Sequence, residues 1–311
     1  MMSKIVVALG GNAIQTSDKT AAGQKKAIKK TMAAIVKMIE NGDQIVITHG
    51  NGPQVGNLLL QQQAGSNPNN PAMPLDTVGA MTQGSIGYWM QQALDDLLQR
   101  SFALKLAVAL VTQTVVDPND PAFKNLSKPI GPFFTKEEVK KEQAEHPNYV
   151  YKEDAGRGFR QVVASPKPKQ ILEAPFIRTL LANNCVPIAS GGGGIPVVVD
   201  ADGLKGVPGV IDKDYSAAKL AENIKADQLV ILTTVQNAYL NYGQENEQAL
   251  GQVTCSQLKT YLAEGQFAPG SMKPKIEAAM EFVQHTGHQA IITSLANAGK
   301  LNQGVGTIVT L

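Results

Sequence analysis

Apolar positions along this chain follow two rhythms that alternate from the start. Unbroken runs such as Ile5-Val-Val-Ala-Leu9 and Ile45-Val-Ile47 end on glycine turns, Gly10-Gly11 and Gly50-Asn-Gly52. Between them Ile28, Met32, Ile35, Val36 and Ile39 recur at helical spacing, with lysines on the opposite face and Gly42 as the stop. A run that is apolar at every position suits a strand buried on both faces, as in a parallel sheet covered by helices. The spacing therefore predicts a strand from Lys4 into the first glycine pair, a helix over 21–41 and a strand over 44–48, with Pro53 opening the next helix. Residues 75–100 read as one long helix or a pair, and 104–111 as a third buried strand. Further on, the pattern predicts a helix over 169–183, a strand over 186–189, a hairpin arm over 197–199 turning at 200–203, and a helix from Asp212. A strand over 228–233, a helix over 271–285 and closing strands over 289–294 and 306–311 complete the reading. This is an α/β protein: one domain over 1–311, a three-layer α/β/α arrangement around an open, mostly parallel sheet.

One stretch breaks the rhythm. Residues 117–169 are rich in proline and charge, with Thr135 and Glu138 spaced as a capping box for one short helix in an otherwise irregular insertion. An insertion of this length inside an α/β domain is usually a lid or binding loop.

Composition narrows the chemistry. The 311 residues are 43% hydrophobic and carry a formal charge of +2, so bulk electrostatics point to neither nucleic acid nor a membrane surface. The two cysteines, Cys185 and Cys255, lack partners at metal spacing and read as reduced thiols. With no run approaching the length of a membrane span, the expected location is the cytoplasm.

Glycines at strand ends let backbone N–H groups approach an anion. Three such ends occur: Gly10-Gly11, Gly50-Asn-Gly52 and Ser190-Gly-Gly-Gly-Gly194. The Walker A pattern is absent and the dinucleotide fingerprint fails, since Gly50 to Gly56 has one residue too many. Lys213, between Asp212 and Asp214 at a helix start, reads equally as a surface charge or an anion ligand. Lys275 sits at another helix start, and Lys128 in the insertion, as a lid residue should. Lysines and backbone donors without a Ser/His/Asp set suit phosphoryl transfer, which needs positioning and charge neutralisation more than a covalent nucleophile. His49 reads as a packing residue at a strand end rather than a base. His146, His285 and His288 lie in polar stretches.

Val7-Ala-Leu-Gly-Gly-Asn-Ala13, His49-Gly-Asn-Gly-Pro-Gln-Val55, Ser190-Gly-Gly-Gly-Gly-Ile-Pro196, Val210-Ile-Asp-Lys-Asp214 and Phe267-Ala-Pro-Gly-Ser-Met-Lys-Pro-Lys275 together resemble the carbamate kinases of the amino acid kinase superfamily. The resemblance runs end to end, with the insertion where that family has a protruding subdomain. It implies an open eight-stranded sheet, a homodimer and reversible transfer between MgATP and carbamate, giving ADP and carbamoyl phosphate, with ATP formed in the fermentative arginine deiminase route. It further implies that Gly10, Gly11, Asn12, Gly50, Asn51 and Gly52, with Gly192 and Gly193, hold the carbamoyl phosphate end. By the same resemblance Lys213 and Lys275 flank the transferring phosphoryl group, Asp214 holds them, and Lys128 reaches in from the lid. The nucleotide site falls to Lys213, Val235, Asn237, Ala238, Tyr242, Met272 and Lys275, with Mg2+ as cofactor and no metal ligand identified. Ala8 stands where many relatives in the superfamily have a lysine. Lys273 is an extra lysine expected to face solvent. Scarce arginine, absent from the glycine motifs, suits a small acceptor rather than one with an extra carboxylate.

Overall fold

A computed structural model describes residues 3–14, 17–100, 105–154 and 156–311, the side chain of Asn12 excepted. In chain order its strands are β1 (Lys4–Leu9), β2 (Gln44–His49), β3 (Ala107–Ala109), β4 (Gln113–Val116), β5 (Lys128–Phe134), β6 (Val150–Glu153), β7 (Phe159–Val163), β8 (Pro168–Ile171), β9 (Val186–Ile188), β10 (Ile195–Asp200), β11 (Gly203–Gly206), β12 (Gln228–Thr233), β13 (Tyr239–Leu240), β14 (Gln248–Ala249), β15 (Gln252–Thr254), β16 (Ala290–Ser294) and β17 (Thr307–Thr310). The helices are α1 (Ala21–Glu40), α2 (Gly52–Gly65), α3 (Leu75–Arg100), α4 (Lys136–Glu145), α5 (Ala174–Ala182), α6 (Lys213–Ile224), α7 (Cys255–Ala263) and α8 (Met272–Thr286).

The expected sheet is present with eight strands in the order β15-β17-β16-β12-β1-β2-β9-β3. Neighbours run parallel except β16 and β17, which pair antiparallel. Alternation along β1 shows why its run is apolar at every position. Ile5, Val7 and Leu9 pack with α1 and α3 on one face, while Val6 and Ala8 pack with α5, α6 and α8 on the other. Residues 75–100 form a single helix. Leu104 lies outside the described residues, and the third strand is only Ala107–Ala109, at the sheet edge, where burial on both faces is lost.

The predicted helix over 169–183 starts late. Residues 168–171 form β8, antiparallel to β4 in a second sheet of order β11-β10-β4-β8, and α5 begins only at Ala174. Proline explains the shift, because a helix begun at Lys169 would bury Pro175 in its interior, whereas a start at Ala174 puts it in the first turn, where it is tolerated. The hairpin β10–β11 turns where expected.

The insertion is not irregular. Around its capped helix α4 it carries a three-stranded antiparallel sheet of order β5-β7-β6. Pro129 and Pro132 disguised β5, yet an edge strand can hold proline because an outward N–H is dispensable. The register shifts between Ile130 and Phe134, around Gly131 at φ +71°. The insertion docks on α2 so closely that a Cβ on Gly56 would lie 2.1 Å from the Gly131 Cα. Ile130 and Val163 join Val55, Val78 and Val210 in a small apolar cluster beneath it. The short ladder β13–β14, strand β15 and helix α7 had no counterpart in the sequence reading.

Candidate active site

Parallel strands deliver their carboxyl ends to one rim, and the glycine turns after β1, β2 and β9 therefore converge. Helix α2 starts immediately after β2. Its N-cap residue Asn51 makes no capping bond and instead donates to the Thr82 hydroxyl at 2.8 Å. Helix α8 likewise starts without a side-chain cap at Ser271. Both helix starts lie at the rim without a side-chain cap, a favourable setting for anions, although at α8 the Lys273 N–H is taken by the Ala268 carbonyl. Helix α6 differs, for Asp212 caps it by accepting the Asp214 N–H at 2.9 Å.

Between these ends lies a cleft made of three joined cavities. The largest, of 620 Å³, is bounded by Gly10, Gly11, Lys213, Thr233, Ser271 and Lys275 among others. Gly11, Lys213, Gly270 and Lys275 also line a second, of 180 Å³, together with Gly50, Asn51, Gly52, Gly192, Asp212, Asp214 and Lys128. Thr233, Thr234 and Ser271 connect the first to a third, of 150 Å³, walled by Val235, Tyr239, Tyr242, Phe267 and Met272. Lys128, Lys213 and Lys275 therefore share one cavity, although they come from β5 of the insertion, α6 and α8.

Two carboxylates organise these three ammonium groups. Asp214, buried at 3% exposure, accepts from Lys213 and, at 3.0 Å, from Lys275. Asp212 accepts from Lys128 at 2.6 Å. Counted as charges, three cations against two anions leave the cavity wall positive. Burial is the main force drawing the Lys213 ammonium below the ordinary lysine range; Lys275 adds repulsion, and Asp214 pulls back. An anion arriving beside Lys213 would relieve that cost. Burial alone would raise the Asp212 carboxyl, but Lys128 outweighs it and holds the group at about 2.

Gly192, at φ +65°, turns the chain so tightly that a Cβ there would lie 2.2 Å from the Asn51 amide nitrogen. Gly193 does not reach the cavities. It packs against the Ile211 carbonyl, and its own carbonyl accepts from Thr114 at 3.0 Å. The backbone turn at Asn12 follows Gly11 at the rim, while its side chain lies outside the described residues. Of the expected nucleotide residues, Val235, Tyr242 and Met272 line the third cavity. Asn237 and Ala238 do not line the cleft. The Asn237 amide donates to the Leu250 carbonyl at 2.8 Å, and buried Ala238 donates its N–H to the Thr307 hydroxyl at 2.9 Å. Lys273 is exposed, as expected.

His49 is buried, and loss of hydration lowers its imidazole to about 4, so it is neutral. Its Nδ1 lies 2.9 Å from the Gly50 carbonyl, and a Cβ on Gly191 would meet its Nε2 at 2.4 Å. It packs under the turns and lines none of the three cavities. Cys185 and Cys255 are free thiols.

Gln236, within the stretch 234–242 that the resemblance assigns to the nucleotide, lies on the cavity wall. Asp212, Thr233 and Ser294 at the site are not singled out by the sequence, and for Thr233 and Ser294, as for Gln236, the only signal is position: each closes or follows a strand of the sheet. Ser294 has a buried hydroxyl without a hydrogen-bond partner among the described residues. Among the same residues no cluster of His, Cys, Asp and Glu could hold a metal by itself, and no helix is long and apolar enough to cross a membrane.

The amino acid kinase family profile matches residues 3–294. A carbamate kinase of Lentilactobacillus hilgardii is 54% identical over 311 residues, covering 100% of this chain and 98% of that protein. Carbamate kinase 1 of Enterococcus faecium is 54% identical over 313 residues, covering both chains completely, 100% and 100%. Among solved structures, a carbamate kinase of Giardia lamblia bound to AMP-PNP superposes with a TM-score of 0.90 at 42% identity, covering 99% of this chain and 98% of that one.

Proposed function

This chain belongs to the amino acid kinase family, in its carbamate kinase branch, and on that footing we propose that it moves a phosphoryl group reversibly between ATP and carbamate, giving ADP and carbamoyl phosphate. The observation that carries the reading is the convergence of Lys128, Lys213 and Lys275 on the glycine-lined 180 Å³ pocket, which joins the 620 Å³ cavity and, through it, an apolar recess. Aromatic Tyr239, Tyr242 and Phe267 suit a purine ring, and the 620 Å³ space beside them suits a chain of phosphates. The 180 Å³ pocket suits a small planar anion, held by charge and backbone donors because it has little surface to bury.

Lys213 and Lys275, oriented through Asp214, neutralise charge that spreads over the phosphoryl oxygens as the bond to one oxygen breaks and the bond to the other forms. The carbamate oxygen is already anionic, so the attack needs no general base, consistent with His49 being buried and neutral. Asn51, Gly52 and Gly192 place the acceptor, and Lys128 covers it from the lid. Mg2+ would arrive with the nucleotide, held by phosphate oxygens and water, with the neutral oxygens of Thr233, Thr234, Gln236 and Ser294 lining its surroundings. When bound it supplies neutralisation of the phosphate chain.

Net formation of ATP in the arginine deiminase route, a cytoplasmic location and a homodimer belong to the same reading. Exposed Met81 and Tyr88 on α3 and Val199 and Leu204 on the hairpin β10–β11 offer apolar surface for a second copy. The deciding experiment is coupled ATP formation from ADP with carbamoyl phosphate, set against the acyl phosphates used by other members of the family. Turnover with carbamoyl phosphate above all others is expected. Nucleotide binding without turnover would replace the kinase with a sensor.

A further inference from the structure

Asp212 uses both carboxylate oxygens, one on each of two different elements. Oδ1 accepts the Asp214 N–H at 2.9 Å and closes the first turn of α6, while Oδ2 accepts the Lys128 ammonium of the lid at 2.6 Å. Because the first bond fixes the carboxylate plane, the second acts on a lysine whose partner cannot swing aside. The other stem of the lid is tied to the same turn. Lys167 donates its N–H to Asp120 at 2.8 Å, and its ammonium lies 2.9 Å from the ring centroid of Tyr215, whose hydroxyl donates to Glu277 on α8. The two acids of α6 thus divide the cations, Asp214 taking Lys213 and Lys275 and Asp212 taking Lys128.

We propose that Asp212 is a positioning residue that latches the lid lysine into the cleft, so that Lys128 is in place before the small substrate arrives. A free lysine on a lid would be solvated and would lose rotamer freedom only on binding. The charge-assisted bond to Asp212 removes that freedom beforehand, and the helix turn that carries Lys213 registers the lid on the phosphoryl site. The inference rests on the carbamate kinase reading for its kinetic consequence, but not for the latch itself.

The test compares wild type, Asp212→Asn, Asp212→Ser, Lys128→Ala and the double variant of Asp212→Asn with Lys128→Ala. Asparagine and serine keep the helix cap and therefore the melting temperature, while neither offers a carboxylate to Lys128. The Michaelis constant for carbamoyl phosphate should rise roughly tenfold to a hundredfold in both Asp212 variants, with that for ADP unchanged. The double variant should be little worse than Lys128→Ala alone, because Asp212 acts through Lys128. Hydrogen exchange at β5 should speed up in Asp212→Asn while α6 stays protected. Equal increases for both substrates, additive losses, or unchanged exchange at β5 would each overturn the latch. Absence of ATP formation by the wild type would sink the kinase reading instead, and the exchange measurement would still decide the latch.

Discussion

Lys213 and Lys275 gain their meaning from Asp214, a carboxylate at 3% exposure that would be costly to bury without them. Replacing either lysine by alanine leaves that carboxylate half-paired and removes a cation from the developing charge. Each of Lys213→Ala and Lys275→Ala should lose on the order of 2–4 kcal/mol of transition-state stabilisation, measured as kcat/KM for carbamoyl phosphate. Wild-type values in either would refute the assignment. His49 yields a prediction about pH. Its folded-state value of about 4 lies below the 6.5 of free imidazole, so between these values the unfolded chain binds a proton that the folded chain refuses. Stability should therefore fall as pH drops from 6.5 to 4, by on the order of 3 kcal/mol from this residue. Urea midpoints across that range should fall less steeply for His49→Gln. Parallel curves would show that the imidazole is not the cause. The lysines were legible because aspartates flank one and a glycine turn precedes the other. Asp212 was not, because a residue that caps a helix and latches a lid looks like any N-cap until the lid is in place.

Elements with a single strong periodicity read correctly: α1, α3, α6 and α8 lie within a few residues of their expected bounds, as do β1, β2 and β12. Those that failed were decided by partners. β8 exists because β4 lies beside it, and β5 tolerates its prolines because it is an edge. The contact of α2 with β5 gives a test at this scale. Gly56→Ala would place a Cβ 2.1 Å from the Gly131 Cα, a contact with backbone that no side-chain rotation can relieve, so β5 must retreat. The expected outcome is weaker use of carbamoyl phosphate with ADP affinity unchanged, read by steady-state kinetics and calorimetry. Equal loss of both would place the strain in the domain core instead.

At the scale of the whole molecule, the insertion leaves and re-enters the domain at neighbouring points, since the Ser127 N–H donates to the Val163 carbonyl at 3.1 Å. Joining Leu126 to Ala164 by a short linker should leave one cooperative unfolding transition and intact ADP binding, while ATP formation is lost. Loss of the cooperative transition would show that the lid supports the domain, through Ile130 and Val163 in the cluster with Val55, Val78 and Val210. Periodicity and glycine placement, which report local burial and backbone freedom, were enough by themselves to determine an α/β sheet with glycine turns at its strand ends, and its motifs pointed to a kinase. Which lysines face each other, that the insertion is a folded sheet, and that Asn237 and Ala238 turn away from the cleft were decided only by tertiary structure. The physical reason is that each depends on pairing between residues far apart in the chain, which no local pattern encodes.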